Sequence, residues 1–312
     1  MISALEIELF LKSRGELIST SGQPEQTVEK PVPFDQIAQN TLTFIRHVEG
    51  EELNKIADIP GIILILPELD PSCDHIAVKA QGYWIQCRDP RLTFALVLCE
   101  YFEPRLTHHI SPNADIHEMA RLGNDVGIDA FAVISAGVHI ADGCHIAAHT
   151  MLHSGVQLGR GVTIGAGTCL GGPGFGYQRD NDGTPQRFPQ LGILEIGDGC
   201  EIGENVTINR AALTTTTIEA HVKIDDQTYV AHNVSIGAGT LITAGVRIMG
   251  AAAIGTGVDI HQGSLIGQGV RIGDRAVIGM GSVVLSDIPA DTFAAGTPAK
   301  RRGPAEKHRL SR

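Results

Sequence analysis

Histidine is the side chain best suited to moving protons near neutral pH, and this chain has 13 of them. Seven fall between residues 139 and 261: His139, His145, His149, His153, His221, His232 and His261. A zinc centre would need several of these to converge. His145, His149 and His153 are four residues apart, a spacing whose meaning depends on the element that carries them. His232 stands alone in Tyr229-Val230-Ala231-His232-Asn233. Its ordinary reading is a surface histidine; its sharper reading is a general base. Phosphate-loop fragments such as Gly165-Ala166-Gly167 also occur, and six cysteines occur without a CxxC pair.

The element that positions these residues is a repeat. Large aliphatics stand six residues apart from Ile110 to Leu170, again at Ile196, Ile202 and Ile208, and from Ile218 to Val284, 26 positions in all. The fourth residue after every one but the last is small, as in Ala114, Val138, Cys144 and Thr150, and Gly often takes the second place, as in Gly123, Gly165 and Gly197. An α-helix turns about 100° per residue, so a six-residue period would scatter the aliphatics over three faces. No single strand is long enough to carry it. A triangular coil uses all of it. Each hexad makes one strand and one corner, three hexads close a turn, and a large and a small side chain fill the prism side by side. The 26 hexads give between eight and nine coils. The expected fold is mainly β: a left-handed parallel β-helix of hexapeptide repeats with a small N-terminal α/β domain. Gly serves the corners, which removes the phosphate-loop reading. His232, third in its hexad, should point outward near a corner. His145, His149 and His153 would drift around the prism. The γ-class carbonic anhydrases, also β-helices, use a His-x4-His pair, and none of these seven histidines are five apart.

Three segments fit this organisation: 1–105, a small α/β domain for substrate binding; 106–288, the β-helix; and 289–312, a C-terminal tail. Gly61 to Leu66 reads as a buried strand and Arg91 to Phe102 as an amphipathic helix. The period breaks at residues 171–195, a Gly-, Pro- and Asp-rich excursion holding Phe175, Tyr177 and Phe188 in a chain only 4% aromatic. A four-residue slip at Leu213 to Thr217 makes a second bulge. Pro289 and Pro298 end the repeat, and the basic run from Lys300 to Arg312 reads as a frayed, solvated terminus or a contact for phosphate or an acidic carrier. The formal charge of −11 argues against a nucleic-acid partner. Apolar runs are too short or too charged for a signal peptide or a membrane span, and the cysteines read as small buried hydrophobes, so a cytoplasmic location is expected.

Between residues 174 and 233 the chain resembles the UDP-3-O-acylglucosamine N-acyltransferases of lipid A and lipopolysaccharide biosynthesis. The matching pieces are Gly174-Phe175-Gly176-Tyr177, Pro189-Gln190-Leu191-Gly192, Ile208-Asn209-Arg210 with Ala212-Leu213, Ile224-Asp225 and Ala231-His232-Asn233. The resemblance implies a homotrimer with sites between subunits and His232 as general base on a sugar amine. It implies an acyl donor held as a thioester on the 4'-phosphopantetheine of acyl carrier protein, with no bound cofactor or metal. The nucleotide-linked amino sugar would be held by Phe44, Gly174, Phe175, Tyr177, Gln190, Asn209, Asp225 and Asn233.

The chain departs from the family at several of these places. Pro173 replaces an acid, and Asn209-Arg210-Ala211-Ala212-Leu213-Thr214-Thr215 lacks three acids of the family motif. Gly269 stands where a second functional histidine is expected. Phe44 matches one side of a uracil sandwich whose partner ring falls at Gly50, with His47 in place of an asparagine. Ala295-Gly296-Thr297-Pro298-Ala299-Lys300 resembles the ending of coenzyme A-dependent sugar acetyltransferases. Two alternatives therefore stay open: a coenzyme A-dependent acyltransferase of the same fold, and an inactive binding or scaffold trimer.

Overall fold

The computed structural model describes residues 1–47, 56–69, 81–104 and 108–310. They form two compact units, 1–105 and 106–312. Among the described residues no helix is long and apolar enough to cross a membrane.

The first unit begins with β1 (Ile2–Ser3) and α1 (Ala4–Arg14). Ser3 and Glu6 form a reciprocal capping box at the start of α1, and Gly15 closes it in the left-handed conformation. β2 (Leu17–Ser21), β3 (Thr27–Val28), β4 (Lys30–Pro31), β5 (Thr41–Phe44), β6 (Ile63–Pro67) and β7 (Tyr83–Cys87) follow, then α2 (Pro90–Tyr101). Five of these strands make one sheet in the order β2-β7-β6-β5-β4, antiparallel only at β2-β7. Its central strands are apolar on both faces. Ile63, Ile65 and Ile85 pack with Ile7, Leu11 and Val97, while Leu64, Leu66 and Trp84 pack on the opposite side. The buried strand expected from Gly61 begins two residues later, at Ile63. The helix expected at 91–102 spans 90–101, with Asp89 capping it and Pro90 in its first turn.

The second unit is the β-helix. Its strands are mostly two residues long and stack in parallel into sheets of ten, nine and eight strands. Ile128 pairs with Ile146 and Ile146 with Ile164, so one coil is 18 residues, three hexads. The hexad aliphatics and the small fourth-following residues are buried together. Where the small residue is polar, its proton is used inside the prism. Thr168 Oγ1 donates to Gly203 O at 2.7 Å, Thr240 Oγ1 to Gly255 O at 2.9 Å and Cys200 Sγ to Glu219 O at 3.0 Å.

The glycines divide into two roles, which corrects the expectation that second-place Gly serves the corner turn. The left-handed residue is fourth in the hexad, as at Gly137 (φ 72°) and Asn205 (φ 53°). Second-place Gly instead lets the next coil approach. A Cβ on Gly123 would stand 2.7 Å from the Asp142 nitrogen, and one on Gly197 2.7 Å from that of Ala220.

The interruptions are measured by the pairing. Val156 pairs with Leu194, 38 residues on, so one coil carries 20 extra residues. Leu194 pairs with Thr216, 22 residues on, a second insertion of four. Strands run to Gly172 and resume at Ile193, so the excursion is shorter than 171–195, and the bulge precedes the strand that starts at Thr215. Within the excursion Tyr177–Arg179 and Pro185–Arg187 form an antiparallel hairpin.

Residues 292–310 are not a frayed tail. Thr292–Ala295 extends the ten-stranded sheet and Lys300–Pro304 folds back on it. Arg309 Nη1 and Nη2 then donate to Gly257 O and Arg275 O at 2.9 Å each, and the Leu310 N–H donates to Oδ2 of buried Asp259 at 2.8 Å. Arg309, and Arg302 through Nε to Ala295 O at 3.4 Å, thus satisfy backbone carbonyls instead of standing free.

Candidate active site

The corner that follows the nine-stranded sheet carries the candidate chemistry. Ile208 pairs with Val230 and Val230 with Ile248. Counting two residues on from each, Arg210, His232 and Gly250 occupy equivalent places on three successive coils, about 4.8 Å apart per coil.

His232 lies outside the prism but is half-buried, not freely exposed as a corner residue would be. A Cβ on Gly174 would stand 2.8 Å from its Cδ2, and a Cβ on Gly250 2.9 Å from its Cε1 and 3.1 Å from its Nε2. The ring thus occupies a slot that exists because both neighbours are glycine. Its Nδ1 is buried and makes no hydrogen bond.

Gly250 has a second property. At other corners, the N–H of the third hexad residue is taken by an acid one coil on: Asn124 by Asp142, Arg160 by Asp198 and Glu204 by Asp226, each at 2.7 Å, and Thr256 by Asp274 at 2.9 Å. Above Gly250 the equivalent residue is Gln268, and among the described residues the Gly250 N–H has no backbone partner. An open N–H beside an imidazole suits a reaction in which one group takes a proton while another holds a developing oxyanion.

The other residues expected at the site have mixed placements. Gly174 packs on His232. Gly176 faces Gln190, which is 8% exposed, donates from Nε2 to Phe188 O at 3.3 Å, and leaves Oε1 buried without a partner. Phe175 and Tyr177 are exposed with ring centroids 4.9 Å apart. Asn209 donates from Nδ2 to the Tyr229 hydroxyl at 2.9 Å. Asn233 serves the scaffold: its Oδ1 accepts the Ala212 N–H at 2.7 Å and its own N–H donates to Thr216 Oγ1 at 2.9 Å, holding the four-residue bulge. Asp225 does not join His232 within one chain. It follows the ten-stranded sheet at another corner, where its carboxylate accepts the N–H groups of Asp226 and Ala244. Phe44, in the first unit, has one ring face stacked on Phe94 at 4.8 Å, so it offers a ligand at most the other. Gly50 lies outside the described residues.

Sequence reasoning missed Gly250, although adding one 18-residue coil to His232 reaches it. It also missed the surroundings of Arg210. Arg210 Nε donates to Gly171 O at 2.6 Å, and His153 Nε2 lies 3.4 Å from Cys169 Sγ. Burial pushes the Cys169 thiol up, and burial followed by the Arg210 charge pushes His153 down. This pair is therefore thiol and neutral imidazole, not an activated thiolate. Among the described residues no group of three or more His, Cys, Asp or Glu side chains is placed to hold a metal.

A stacked hexapeptide coil with a half-buried histidine beside an open corner N–H is the arrangement expected of a hexapeptide-repeat acyltransferase. The family model for the bacterial transferase hexapeptide (six repeats) matches residues 119–154 and 215–250. The chain is 36% identical over 258 residues to the UDP-3-O-acylglucosamine N-acyltransferase of Gloeothece citriformis, covering 75% of this chain and 72% of that protein. It is 36% identical over 245 residues to that of Cupriavidus taiwanensis, covering 70% and 67%. The match to the Chlorobium chlorochromatii protein is sharper and shorter, 51% over 72 residues, 23% of this chain and only 20% of that protein. Among solved structures, LpxA from Acinetobacter baumannii is similar with a TM-score of 0.58 and 26% identity over 64% of this chain and 75% of that one. LpxA of Bacteroides fragilis, a UDP-N-acetylglucosamine acyltransferase, gives 0.50 and 27% over 64% and 76%. The chain belongs to the UDP-3-O-acylglucosamine N-acyltransferase family.

Proposed function

We propose that this protein moves an acyl group from the 4'-phosphopantetheine thioester of acyl carrier protein to the amine of a nucleotide-linked amino sugar, as a cytoplasmic homotrimer. The observation that carries the reading is the glycine-walled slot holding the His232 ring beside the open N–H of Gly250. The acceptor amine attacks the thioester carbonyl as His232 Nε2 takes its proton. The N–H of Gly250 donates to the oxyanion. Collapse expels the pantetheine sulfur, which leaves as the thiol with the proton from His232, and an amide remains.

A second reading, a coenzyme A thioester as donor, is favoured by Ala295-Gly296-Thr297-Pro298-Ala299-Lys300, which turns the chain between its last two strands. Assays of the purified protein with carrier-protein thioesters and with acetyl-coenzyme A separate the two. The expected result is turnover with the carrier-protein donor, reduced about 10²–10⁴-fold by His232→Ala with the fold retained. Equal turnover in the variant would remove the histidine from the mechanism, and no transfer from either donor would leave only a binding trimer.

A further inference from the structure

We propose that Arg210 is the phosphate-binding residue of the acceptor subsite, its guanidinium taking the phosphate attached to the sugar whose amine is acylated. The proposal rests on the acyltransfer reading above and adds an anion site to it.

Arg210 is half-buried and its stem is fixed at two points: its N–H donates to Gly172 O at 3.0 Å and its Nε to Gly171 O at 2.6 Å. Its terminal nitrogens have no protein acceptor, and no carboxylate lies within 4 Å of them, among the described residues. Arg275, by contrast, is paired in two hydrogen bonds with Asp291. Withdrawing a guanidinium partly from water without a counter-ion is unfavourable, and burial holds its pKa below the ordinary arginine range. An anion supplies what the fold withholds, and the planar fork of the guanidinium suits phosphate.

The surroundings are built the same way. On five successive coils the two residues that follow the hexad aliphatic of the nine-stranded sheet (153–154, 171–172, 209–210, 231–232 and 249–250) include no Asp or Glu. Acids occupy the other corners at Asp142, Asp198, Asp226 and Asp274. Gly172 opens a nook beside Arg210. A Cβ there would lie 3.6 Å from His153 Nε2 and 3.7 Å from Asn209 Oδ1, and neither group carries a negative charge to repel an anion.

Placement fits the chemistry of the acceptor. In a nucleotide-linked glucosamine the amine and the sugar-bound phosphate sit on adjacent ring carbons, a few bonds apart. A base for the amine and a clamp for that phosphate must then lie about 5–10 Å from each other. Arg210 stands one coil from His232 and its side chain reaches toward the coil beyond, a span of one to two spacings of about 4.8 Å.

The test is steady-state kinetics of the full-length protein with UDP-3-O-acylglucosamine and carrier-protein thioester, each varied separately, for the wild type, Arg210→Gln and Arg210→Lys. Calorimetric titration with UDP-glucosamine runs alongside. In Arg210→Gln the acceptor KM is expected to rise about tenfold or more, with less than a twofold change in donor KM, and UDP-glucosamine affinity to fall by a similar factor. Arg210→Lys, which keeps the charge and loses the fork, should fall between. If only the donor KM rises, the anion is the phosphopantetheine phosphate and the proposal is overturned. Unchanged acceptor KM and unchanged UDP-glucosamine affinity overturn it as well. If the wild type turns over with no donor, the acyltransfer reading fails, and the titration still decides for or against Arg210. Should Arg210→Gln not fold, the lysine variant carries the same comparison, and affinity equal to the wild type would sink the idea.

Discussion

Gly174 and Gly250 bracket the His232 ring, and on the proposed mechanism their missing side chains are expected to act on catalysis more than on folding. A methyl at either position would press on the imidazole within 3 Å. The ring must then rotate or shift while the coil backbone around it stays paired. Gly250→Ala and Gly174→Ala are expected to lower kcat/KM by about 10–100-fold, because displacement of a base by an ångström has that scale of effect. Tm should move by only a few degrees. The check is a side-by-side melt and rate measurement; equal losses in stability and rate would mean that the glycines serve the coil alone. His232 was legible from its motif and its place in the hexad, and the motif named Gly174 as well. The slot was not legible, since it depends on a contact between residues far apart in sequence. Arg210 was visible as a letter, but its lack of a carboxylate partner is a property of its neighbours in space.

At the scale of elements, the six-residue period fixed the coil because it admits one geometry only: large and small side chains inside, a left-handed corner residue, and a glycine wherever the next coil comes close. The interruptions were equally legible as breaks, but their ends were not, because Cys169–Gly172 and Ile193–Ile196 keep pairing after the aliphatic rhythm has faded. The tail was misread because strand pairing to Val277–Ile278 carries no periodic signature in four residues. The excursion is an addition to a coil already complete without it. Deleting residues 173–192 removes 20 residues and returns the Val156–Leu194 pairing from 38 residues apart to 18. The shortened protein is expected to keep the circular dichroism and cooperative melt of the parent and to lose turnover, since the Gly174 segment that covers His232 and the exposed rings of Phe175 and Tyr177 leave with the deletion. A shortened chain that still transferred acyl groups at the parental rate would place the chemistry elsewhere on the coil.

At the scale of the whole molecule, two observations support the proposed assembly of several copies of the chain. Phe175 is 81% exposed, Leu191 73% and Leu213 67%, and all three belong to the two insertions that leave the coil. Single exposed apolar residues are ordinary, but a cluster on adjoining segments is covered by a partner in most proteins. Asp225 and His232 also sit at different corners of one prism, so they can serve a common site only across a subunit boundary. A trimer of 33.1 kDa chains, about 99 kDa as three times that mass, is therefore expected by sedimentation equilibrium. Replacing Leu191 and Leu213 together by Asp should shift the mass toward a single chain. A charge placed in a closing apolar contact must be desolvated without a counter-ion, and two such groups per chain outweigh the area they bury. The same variant should lose turnover although His232, Gly250 and Arg210 are untouched, because its half of each site would lack the neighbour's half. A single chain that remained active at assay concentration would show that one prism contains the complete site and that the exposed apolar residues serve the acyl chain instead of a subunit.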